Sequence, residues 1–359
     1  MRSKCCCIMI FVFMLLSAFR VNASVDNIDV GAVFLYIDVN DPDLQKRRSE
    51  LKKCIKKDVE NDELKYALRS VLTNIPWIRK IFIFMPNEKV KFLKEQDQIN
   101  DKIVYVNQEE LVGVTGSCST LEWNLWKLKS KDCSDHIIYF NDDYFVGQPM
   151  KKSDFFYEDE DGNTVPYIFF EKNRIKEIKK EDIKKILDKF NSKVSNKDMA
   201  KQNNNAFFLR IFNSRFILYD LFKCNNLKNS IHKHFMHNAI PINLSELKEI
   251  YDIIKNEYKY AEEALESKFK NRNSFVTADL YSFYNLNKND RKINDKIKYE
   301  YFDMADENII EKQDKYRYDL FCINTGGDRN YTTEERLKAK EIMNKLFPEK
   351  TEYEVDESE

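Results

Sequence analysis

The chain has 359 residues, which is enough for one large domain or two ordinary ones with a substantial core. Its 59 basic and 60 acidic residues nearly cancel, so the composition excludes a protein that binds nucleic acid through a broad basic surface. Aromatic residues make up 13% of the chain, which indicates a packed globular protein rather than a disordered one.

The first 23 residues have the pattern of a secretory signal peptide. Arg2 and Lys4 precede an apolar run that ends at Phe19, and residues 21–23 form a small-residue cleavage pattern. The run is shorter than the ~20 residues that a membrane-spanning helix needs, so we expect cleavage and no membrane span afterwards. The mature protein would then lie in the lumen of the secretory pathway (ER or Golgi) or outside the cell. An uncleaved N-terminal signal anchor is the alternative.

Five cysteines remain after the predicted cleavage, and this odd number leaves at least one thiol free or paired between molecules. A bridge between Cys118 and Cys133 across one helical segment is plausible, although the sequence does not determine the connectivity. No spacing of cysteine and histidine suggests a zinc site.

Strand patterns alternate with helical patterns through the first half of the chain. Short apolar runs predict strands, and apolar positions that recur on one face predict helices. The predicted strands are residues 30–37, 80–85, 102–106 and 136–141, and the predicted helices are residues 42–56, a helix that begins after Asn61 or Asp62, and residues 120–128. This alternation predicts an α/β fold with a mostly parallel sheet and helices on both faces.

The second half reads mainly as helical. Residues 171–230 are predicted to be a helical insertion, whose Lys- and Glu-rich first part faces solvent. Further predicted elements are helices at 203–222, 244–270, 277–286 and 332–346 and a strand at 318–323. We expect one catalytic domain over residues 24–352 and a disordered acidic tail over residues 353–359.

The strand at 136–141 stops abruptly on an amide and two adjacent carboxylates, Asn141, Asp142 and Asp143. Open α/β sheets bind ligands at the carboxyl ends of their strands. Mg²⁺ usually shares its shell between one or two carboxylates and substrate phosphates. The alternative is a polar turn that closes the strand, since Asn and Asp are common turn residues. The residues alone leave both interpretations open.

Four stretches of the chain resemble, in order, the four conserved blocks of the Stealth family of sugar-phosphate transferases. They are residues 34–42; residues 61–81 running on to 141–143 and 154–156; residues 234–237 with Arg272; and residues 321–324 with 347–348. The family includes bacterial capsule-polysaccharide phosphotransferases and the lysosomal-enzyme N-acetylglucosamine-1-phosphotransferase, whose α/β subunit the chain resembles. The chain departs from the family at Val39, where a glycine is usual, and at Thr325, where an acidic residue is usual.

The resemblance implies a Rossmann-like nucleotide-sugar transferase sheet and an activity. The enzyme would transfer a hexose-1-phosphate, such as N-acetylglucosamine-1-phosphate from UDP-GlcNAc, to a hydroxyl of a glycan or glycoprotein acceptor. The nucleoside monophosphate would be released, and Mg²⁺ or Mn²⁺ would be the cofactor. A homodimer is compatible with the sequence, which leaves the oligomeric state open.

The resemblance also implies the site residues. Catalytic roles fall on Asp41, Glu122, His234, Arg272 and Asn324, substrate-binding roles on Asp38, Arg69, Asn141 and Asp142, and metal binding on Asp143 with Asp142. An arginine fork grips phosphate oxygens bidentately, and a histidine with a near-neutral pKa suits the base that deprotonates the acceptor. Asp41 and Glu122 are the rival bases, and Asn324 can donate a hydrogen bond without adding charge. Arg69 serves either an ion pair or a phosphate.

Two other functions stay open at this level. A metal-dependent glycosyltransferase would use the same carboxylates to bind a diphosphate but would release the nucleoside diphosphate. A catalytically silent glycan-binding relative would keep the fold without turnover.

Overall fold

The structure is a computed structural model that describes most of the chain from Val25 onwards. The described residues are 25–37, 46, 61–86, 90–99, 101–113, 117–169, 176–177, 180–192, 204–223, 228–229, 238–267, 273–286, 291–324 and 331–355. The predicted signal peptide lies outside them, as does the predicted helix at 42–56 except for Lys46. None of the helices in these ranges combines the length and apolarity that crossing a membrane requires.

The strands follow one another along the chain from Val30 to Asn324. They are β1 (Val30–Leu35), β2 (Lys80–Met85), β3 (Ile103–Asn107), β4 (His136–Asn141), β5 (Tyr144–Val146), β6 (Phe156–Glu158), β7 (Thr164–Pro166), β8 (Lys176–Glu177), β9 (Lys228–Asn229), β10 (Ile240–Asn243), β11 (Tyr299–Asp303) and β12 (Leu320–Asn324).

The helices lie between these strands and after the last of them. They are α1 (Glu63–Asn74), α2 (Gln108–Val112), α3 (Cys118–Trp123), α4 (Lys152–Phe155), α5 (Lys180–Asn191), α6 (Asn204–Asp220), α7 (Leu244–Glu257), α8 (Ala261–Leu265), α9 (Thr277–Leu286), α10 (Ile309–Tyr316) and α11 (Thr333–Leu346). Short 3₁₀ helices cover Val25–Asn27 and Leu125–Lys131.

The central sheet has the strand order β10-β4-β1-β2-β3. Strands β1 to β4 run parallel, and only the edge strand β10 is antiparallel to its neighbour β4. The prediction of a mostly parallel α/β sheet is therefore confirmed. The parallel strands are apolar along most of their length because helices and loops cover both faces.

The two faces of the sheet are packed by different sets of side chains, as the alternation of a strand requires. In β1, Val30, Ala32 and Phe34 pack on one face with α1, α11 and the second sheet. Val33 and Leu35 pack on the other face, against α3, α6, α7 and α9. In the described part of the chain both faces are thus covered, which leaves the ends of the strands as the place where a ligand can approach the sheet.

A second sheet has the order β11-β12-β5. Strands β11 and β12 are parallel, and β5 is antiparallel to β12. Only Asp142 and Asp143 separate β4 from β5, so this two-residue turn carries the chain from the central sheet into the second one. The turn therefore lies where the two sheets meet.

Within the predicted helical insertion at 171–230, the described residues form α5, α6 and the short strands β8 and β9, and α6 is not solvated. Leu209, Phe212 and Leu218 of α6 are at most 4% exposed and belong to the core behind the sheet. Helix α6 packs against α9 and therefore belongs to the layer of helices that covers this face of the central sheet.

The prediction of a disordered tail from residue 353 is wrong at its start. Tyr353 and Glu354 are buried, and Glu354 forms an isolated β-bridge with Leu93. Residues 356–359 lie outside the described part of the chain. The suggested bridge between Cys118 and Cys133 is also wrong, because both are free thiols and Cys133 is buried in the core.

Candidate active site

The polar strand end that the sequence singles out lies at the carboxyl edge of the parallel sheet. Leu35, the last residue of β1, pairs with Asn141, the last residue of β4. In the second sheet, Cys322 of β12 pairs with Tyr144 of β5. The ends of β1, β4 and β12 therefore meet around the turn at Asp142 and Asp143. This is the edge at which open α/β sheets bind ligands.

Asp143 is held by β12 through three contacts. The Ile323 backbone N–H donates to the Asp143 carbonyl oxygen at 3.2 Å. The Cys322 thiol donates to the carboxylate Oδ2 at 3.3 Å, and the Asn324 amide Nδ2 donates to the same oxygen. The other oxygen, Oδ1, is buried without a hydrogen-bond partner. The carboxylate is thus fixed in orientation with one oxygen left for a further ligand.

Burial sets the charge state of this carboxylate. Asp143 is 8% exposed, and desolvation raises its pKa to about 6, although the Cys322 and Asn324 hydrogen bonds act in the opposite direction. The charge of Glu63, at the start of α1, contributes to this rise. Burial also raises the pKa of Glu63 itself, which accepts hydrogen bonds from Asn61. Two partly buried acids that repel each other create a local demand for a cation.

The residues present fit a hard divalent cation in part. Mg²⁺ and Mn²⁺ take oxygen ligands, and Mg²⁺ is usually held by one or two carboxylates and substrate phosphates. The unpartnered Oδ1 of Asp143 is such a ligand, and the half-buried Asp142 adjoins it in the chain. Within the described ranges there is no cluster of three or more His, Cys, Asp or Glu side chains placed to hold a metal.

A hydrogen-bonded chain links Glu122 to the same strand end. The Tyr139 hydroxyl lies 2.6 Å from Asn141 Oδ1 and 3.1 Å from Glu122 Oε1. The Asn141 amide in turn donates to the Tyr144 hydroxyl at 3.1 Å. Burial, with a further effect of the Glu122 charge, raises the pKa of Tyr139 well above its usual range, so its hydroxyl stays protonated. Glu122 therefore lies near the carboxyl end of β4, close to the other site residues with which the sequence analysis grouped it.

Arg210 is a neighbour of Glu122 that the sequence did not reveal. It lies on α6 and is 7% exposed. Desolvation lowers the pKa of its guanidinium, and the Glu122 charge acts in the opposite direction, so the two groups interact electrostatically. The signal in the sequence was an arginine within the apolar run of residues 206–212. Glu63 was likewise missed, although it stands in the longest family block.

The prediction that Arg69 binds substrate is wrong. Its guanidinium forms a two-pronged ion pair with Glu354, with Nε–Oε1 and Nη2–Oε2 distances of 2.8 and 2.6 Å. Its Nη1 donates to the Phe347 carbonyl at 2.9 Å, and the residue is 2% exposed. Arg69 therefore anchors the C-terminal segment to α1 and has no open face for a phosphate.

Four of the predicted site residues cannot be located relative to these side chains. Asp38, Asp41, His234 and Arg272 lie outside the described residues, so their roles stay predictions. Asn141, Asp142, Asp143, Glu122 and Asn324 are described and lie around the two strand ends. Asn324 contacts Asp143 directly.

Comparison with known proteins yields matches along most of the chain. The family model described as Stealth protein CR2, conserved region 2, matches residues 57–165. The capsular polysaccharide phosphotransferase fcs1 of Haemophilus influenzae is 27% identical over 84% of this chain and 80% of its own length. The capsular polysaccharide phosphotransferase WcwK of Streptococcus pneumoniae is 27% identical over 90% of this chain and 98% of its own.

A third relative is longer than this chain. The exopolysaccharide phosphotransferase CpsY of Mycobacterium leprae is 27% identical over 92% of this chain but only 58% of its own length. Among solved structures, the galactosyltransferase LgtC aligns with 91% of this chain and 98% of its own at 12% identity and a TM-score of 0.37. That structural likeness is too loose to bear on the site.

Proposed function

Since the chain belongs to the Stealth family, we propose that it transfers a hexose-1-phosphate from a nucleotide-sugar to a hydroxyl of a glycan acceptor. The relatives named above are phosphotransferases of capsular polysaccharides and exopolysaccharides, which supports a polysaccharide-like acceptor for this chain. UDP-GlcNAc is the donor that we propose, on the likeness to the N-acetylglucosamine-1-phosphotransferase.

The reaction is a substitution at the phosphorus that carries the sugar. The acceptor hydroxyl oxygen attacks this phosphorus, and the bond from the phosphorus to the bridging oxygen breaks. UMP leaves with that oxygen, and the acceptor proton passes to a base of the protein. The product is a phosphodiester between the acceptor and the anomeric oxygen of the donor sugar, whose glycosidic bond stays intact.

The observation that carries this proposal is the buried Oδ1 of Asp143, which has no partner at the carboxyl edge of the sheet. Asp143, with Asp142 beside it, would hold Mg²⁺ or Mn²⁺. When bound, such an ion neutralises the charge that develops on the diphosphate. Asn324 and Cys322 then act as positioning residues, because their hydrogen bonds fix the Asp143 carboxylate in one orientation.

The proton acceptor is the second role to assign. Glu122 is a candidate because Tyr139 orients its carboxylate near the strand end. The buried guanidinium of Arg210 interacts electrostatically with the same carboxylate, whose charged form would accept the proton. His234, Asp41 and Arg272 keep the roles that the family resemblance implies, with His234 as the alternative base and Arg272 as the phosphate-binding arginine.

Product analysis tests the proposal. Purified protein is incubated with Mg²⁺ and a panel of UDP-sugars that includes UDP-GlcNAc, and the products are identified by ³¹P NMR and anion-exchange chromatography. UMP together with a new phosphodiester resonance is the expected result. Release of UDP would instead identify a glycosyltransferase. Turnover no higher than that of an Asp143→Ala control with every donor would contradict an enzymatic function.

We also propose that the mature chain begins after Ala23 and acts in the secretory lumen or outside the cell. The support is the basic, apolar and small-residue pattern of residues 1–23. N-terminal sequencing of protein produced in its native host tests this, and retention of residues 1–23 would favour the signal anchor.

A further inference from the structure

One buried hydroxyl, that of Tyr139, lies between the proposed base and the end of β4. Tyr139 and Asn141 are alternate residues of this strand, so their side chains lie on the same face of the sheet. The hydroxyl oxygen lies 2.6 Å from Asn141 Oδ1 and 3.1 Å from Glu122 Oε1. Tyr139 is 3% exposed, so bulk water has little access to the hydroxyl. The hydroxyl therefore has two oxygen atoms as its neighbours.

The Asn141 amide is oriented by its nitrogen. Its Nδ2 donates to the hydroxyl of Tyr144, a buried residue, at 3.1 Å, and this contact leaves Oδ1 on the side of Tyr139. An O–O distance of 2.6 Å lies within the range of an O–H···O hydrogen bond, and two oxygens that close would repel without a proton between them. The proton of the Tyr139 hydroxyl is therefore directed at Asn141.

The number of protons decides what the contact with Glu122 can be. A tyrosine hydroxyl has one proton, and the raised pKa of Tyr139 keeps it there. While that proton is directed at Asn141, the 3.1 Å contact is a hydrogen bond only if the Glu122 carboxyl supplies a second proton. When Glu122 is charged, the hydroxyl can turn and donate to the carboxylate, which is a stronger acceptor than an amide. The distances thus match the form of Glu122 that holds a proton.

Helix α3 holds Glu122 at a set position. The Thr120 hydroxyl donates to the Ser267 carbonyl at 2.8 Å, and Trp123, the residue after Glu122, is fully buried. Glu122 itself is only partly buried, so an acceptor hydroxyl can reach its carboxylate. Because the helix is anchored on both sides of Glu122, the Tyr139 hydroxyl is the group that can turn when the charge of the base changes.

We propose that the Tyr139 hydroxyl serves both protonation states of the base. Before the transfer it donates to the Glu122 carboxylate. As the acceptor oxygen bonds to phosphorus, the acceptor's proton passes to Glu122. The hydroxyl then accepts a hydrogen bond from the Glu122 carboxyl and donates to Asn141 Oδ1, and it keeps its own proton throughout.

Tyr139 and Asn141 are in this proposal positioning residues, and Asn141 does not bind substrate, contrary to the role that the family resemblance implies. The inference rests on the proposed transfer reaction with Glu122 as its base. The link between the three side chains can nevertheless be measured without turnover, so the two proposals can fail separately.

Side-chain NMR tests the link in the full chain without a donor. The protein is labelled with ¹⁵N-asparagine, and the Asn141 amide signal is assigned by its loss in Asn141→Leu. Glu122→Gln places an amide N–H where the protonated carboxyl has its O–H, so it mimics the base after proton transfer. We expect Glu122→Gln to shift the Asn141 signal when Tyr139 is present and not in a Tyr139→Phe background. An equal shift in both backgrounds, or none in either, would overturn the proposal.

Kinetics separate positioning from substrate binding. Tyr139→Phe removes only the hydroxyl and should lower kcat about 10-fold, the value of one hydrogen bond to a charged group, while KM for UDP-GlcNAc changes less than about 2-fold. Asn141→Leu should lower kcat about 5-fold with the same KM. The matched control is Tyr251→Phe, which removes a hydroxyl that donates to Glu266 at 2.9 Å away from the site and should keep the wild-type kcat.

Three kinetic outcomes are decisive. A raised KM with an unchanged kcat in Asn141→Leu would identify a substrate contact and overturn the proposal, as would a Tyr139→Phe variant that turns over like the control. Tyr139→Phe keeps the ring and its packing, so it decides the matter if Asn141→Leu folds poorly. If wild type releases no nucleotide while the Asn141 signal responds as expected, the transfer reaction is refuted and the link between the three side chains stands.

Discussion

Replacing Asp143 by asparagine should stabilise the protein while it removes activity. The carboxyl has an ordinary pKa of 3.8 and a pKa of about 6 in the folded protein, because burial disfavours its charged form. A difference of about 2 units corresponds to about 3 kcal/mol of folding free energy. Asparagine keeps the shape and an acceptor for Cys322 and Asn324 but carries no charge, so it avoids this cost.

The pH at which the gain appears follows from the direction of the shift. A raised pKa means that the folded protein binds the proton more tightly than the unfolded chain, so stability falls as the pH rises from about 4 to about 6. At about pH 4 the folded wild type is protonated at Asp143 and the unfolded chain about half ionised, so Asp143→Asn should exceed wild type by less than about 1 kcal/mol. At about pH 7.5 the variant should exceed wild type by up to about 3 kcal/mol, because the Asp143 charge then carries its full cost.

Urea unfolding of wild type and Asp143→Asn in EDTA, at about pH 4 and about pH 7.5, measures the difference between their unfolding free energies. The effects of other titrating groups largely cancel in this difference. Asp314→Asn, an exposed carboxylate on α10, should change stability by less than about 0.5 kcal/mol at either pH. UMP release by Asp143→Asn should fall about 100-fold or more, since the transferred phosphoryl group is stabilised mainly by charge. A variant that is less stable than wild type at neutral pH, or that keeps a tenth of its activity, would refute this reasoning.

Three further predictions use other parts of the structure. Glu354→Gln should lower the unfolding free energy by about 3 kcal/mol, because it leaves the Arg69 charge buried without its partner. It should leave UMP release per folded molecule intact. An activity loss specific to Arg69→Met would instead indicate that Arg69 contacts a phosphate. Glu122→Gln and Arg210→Gln should each reduce kcat. The double variant should have a kcat little below that of the slower single variant, because the effects of residues that act as a unit do not add. Additive losses in the UMP assay would show that the two side chains act independently. EDTA should reduce UMP release and Mg²⁺ or Mn²⁺ should restore it, whereas activity that persists in EDTA would contradict the metal proposal.

The parallel strands could be predicted because burial on both faces leaves a short run of apolar residues. Strand β10 was missed because Pro241 interrupts its pattern, and proline removes a backbone donor. It is tolerated because β10 is the edge strand of the sheet. Strand β11 was missed because Tyr299, Glu300 and Tyr301 are only partly buried and read as a surface loop.

The site residues likewise include some that the sequence predicts and some that it does not. Asp143 could be predicted because two carboxylates after an apolar run are unusual, whereas charges within helices, such as Glu63 and Arg210, read as solvated surface. Arg69 was misread for another reason. Its partner Glu354 is 285 residues away in a tail whose acidic composition predicted disorder. No local sequence pattern predicts an ion pair between segments so far apart in the chain.

One buried ion pair fixes the helix that carries Arg210 against its neighbour α9. Arg215 of α6 and Asp279 of α9 form an ion pair at 2.9 Å, each at most 2% exposed, and the guanidinium lies 3.2 Å from the centre of the Phe283 ring. Removing one member of such a pair costs about 3–5 kcal/mol, so the two helices are held firmly in register. Helix α6 carries Arg210, whose guanidinium interacts with the Glu122 charge. The pair therefore helps to hold Arg210 at a set position relative to the proposed base Glu122, which is what proton transfer from one hydroxyl of a bound acceptor requires.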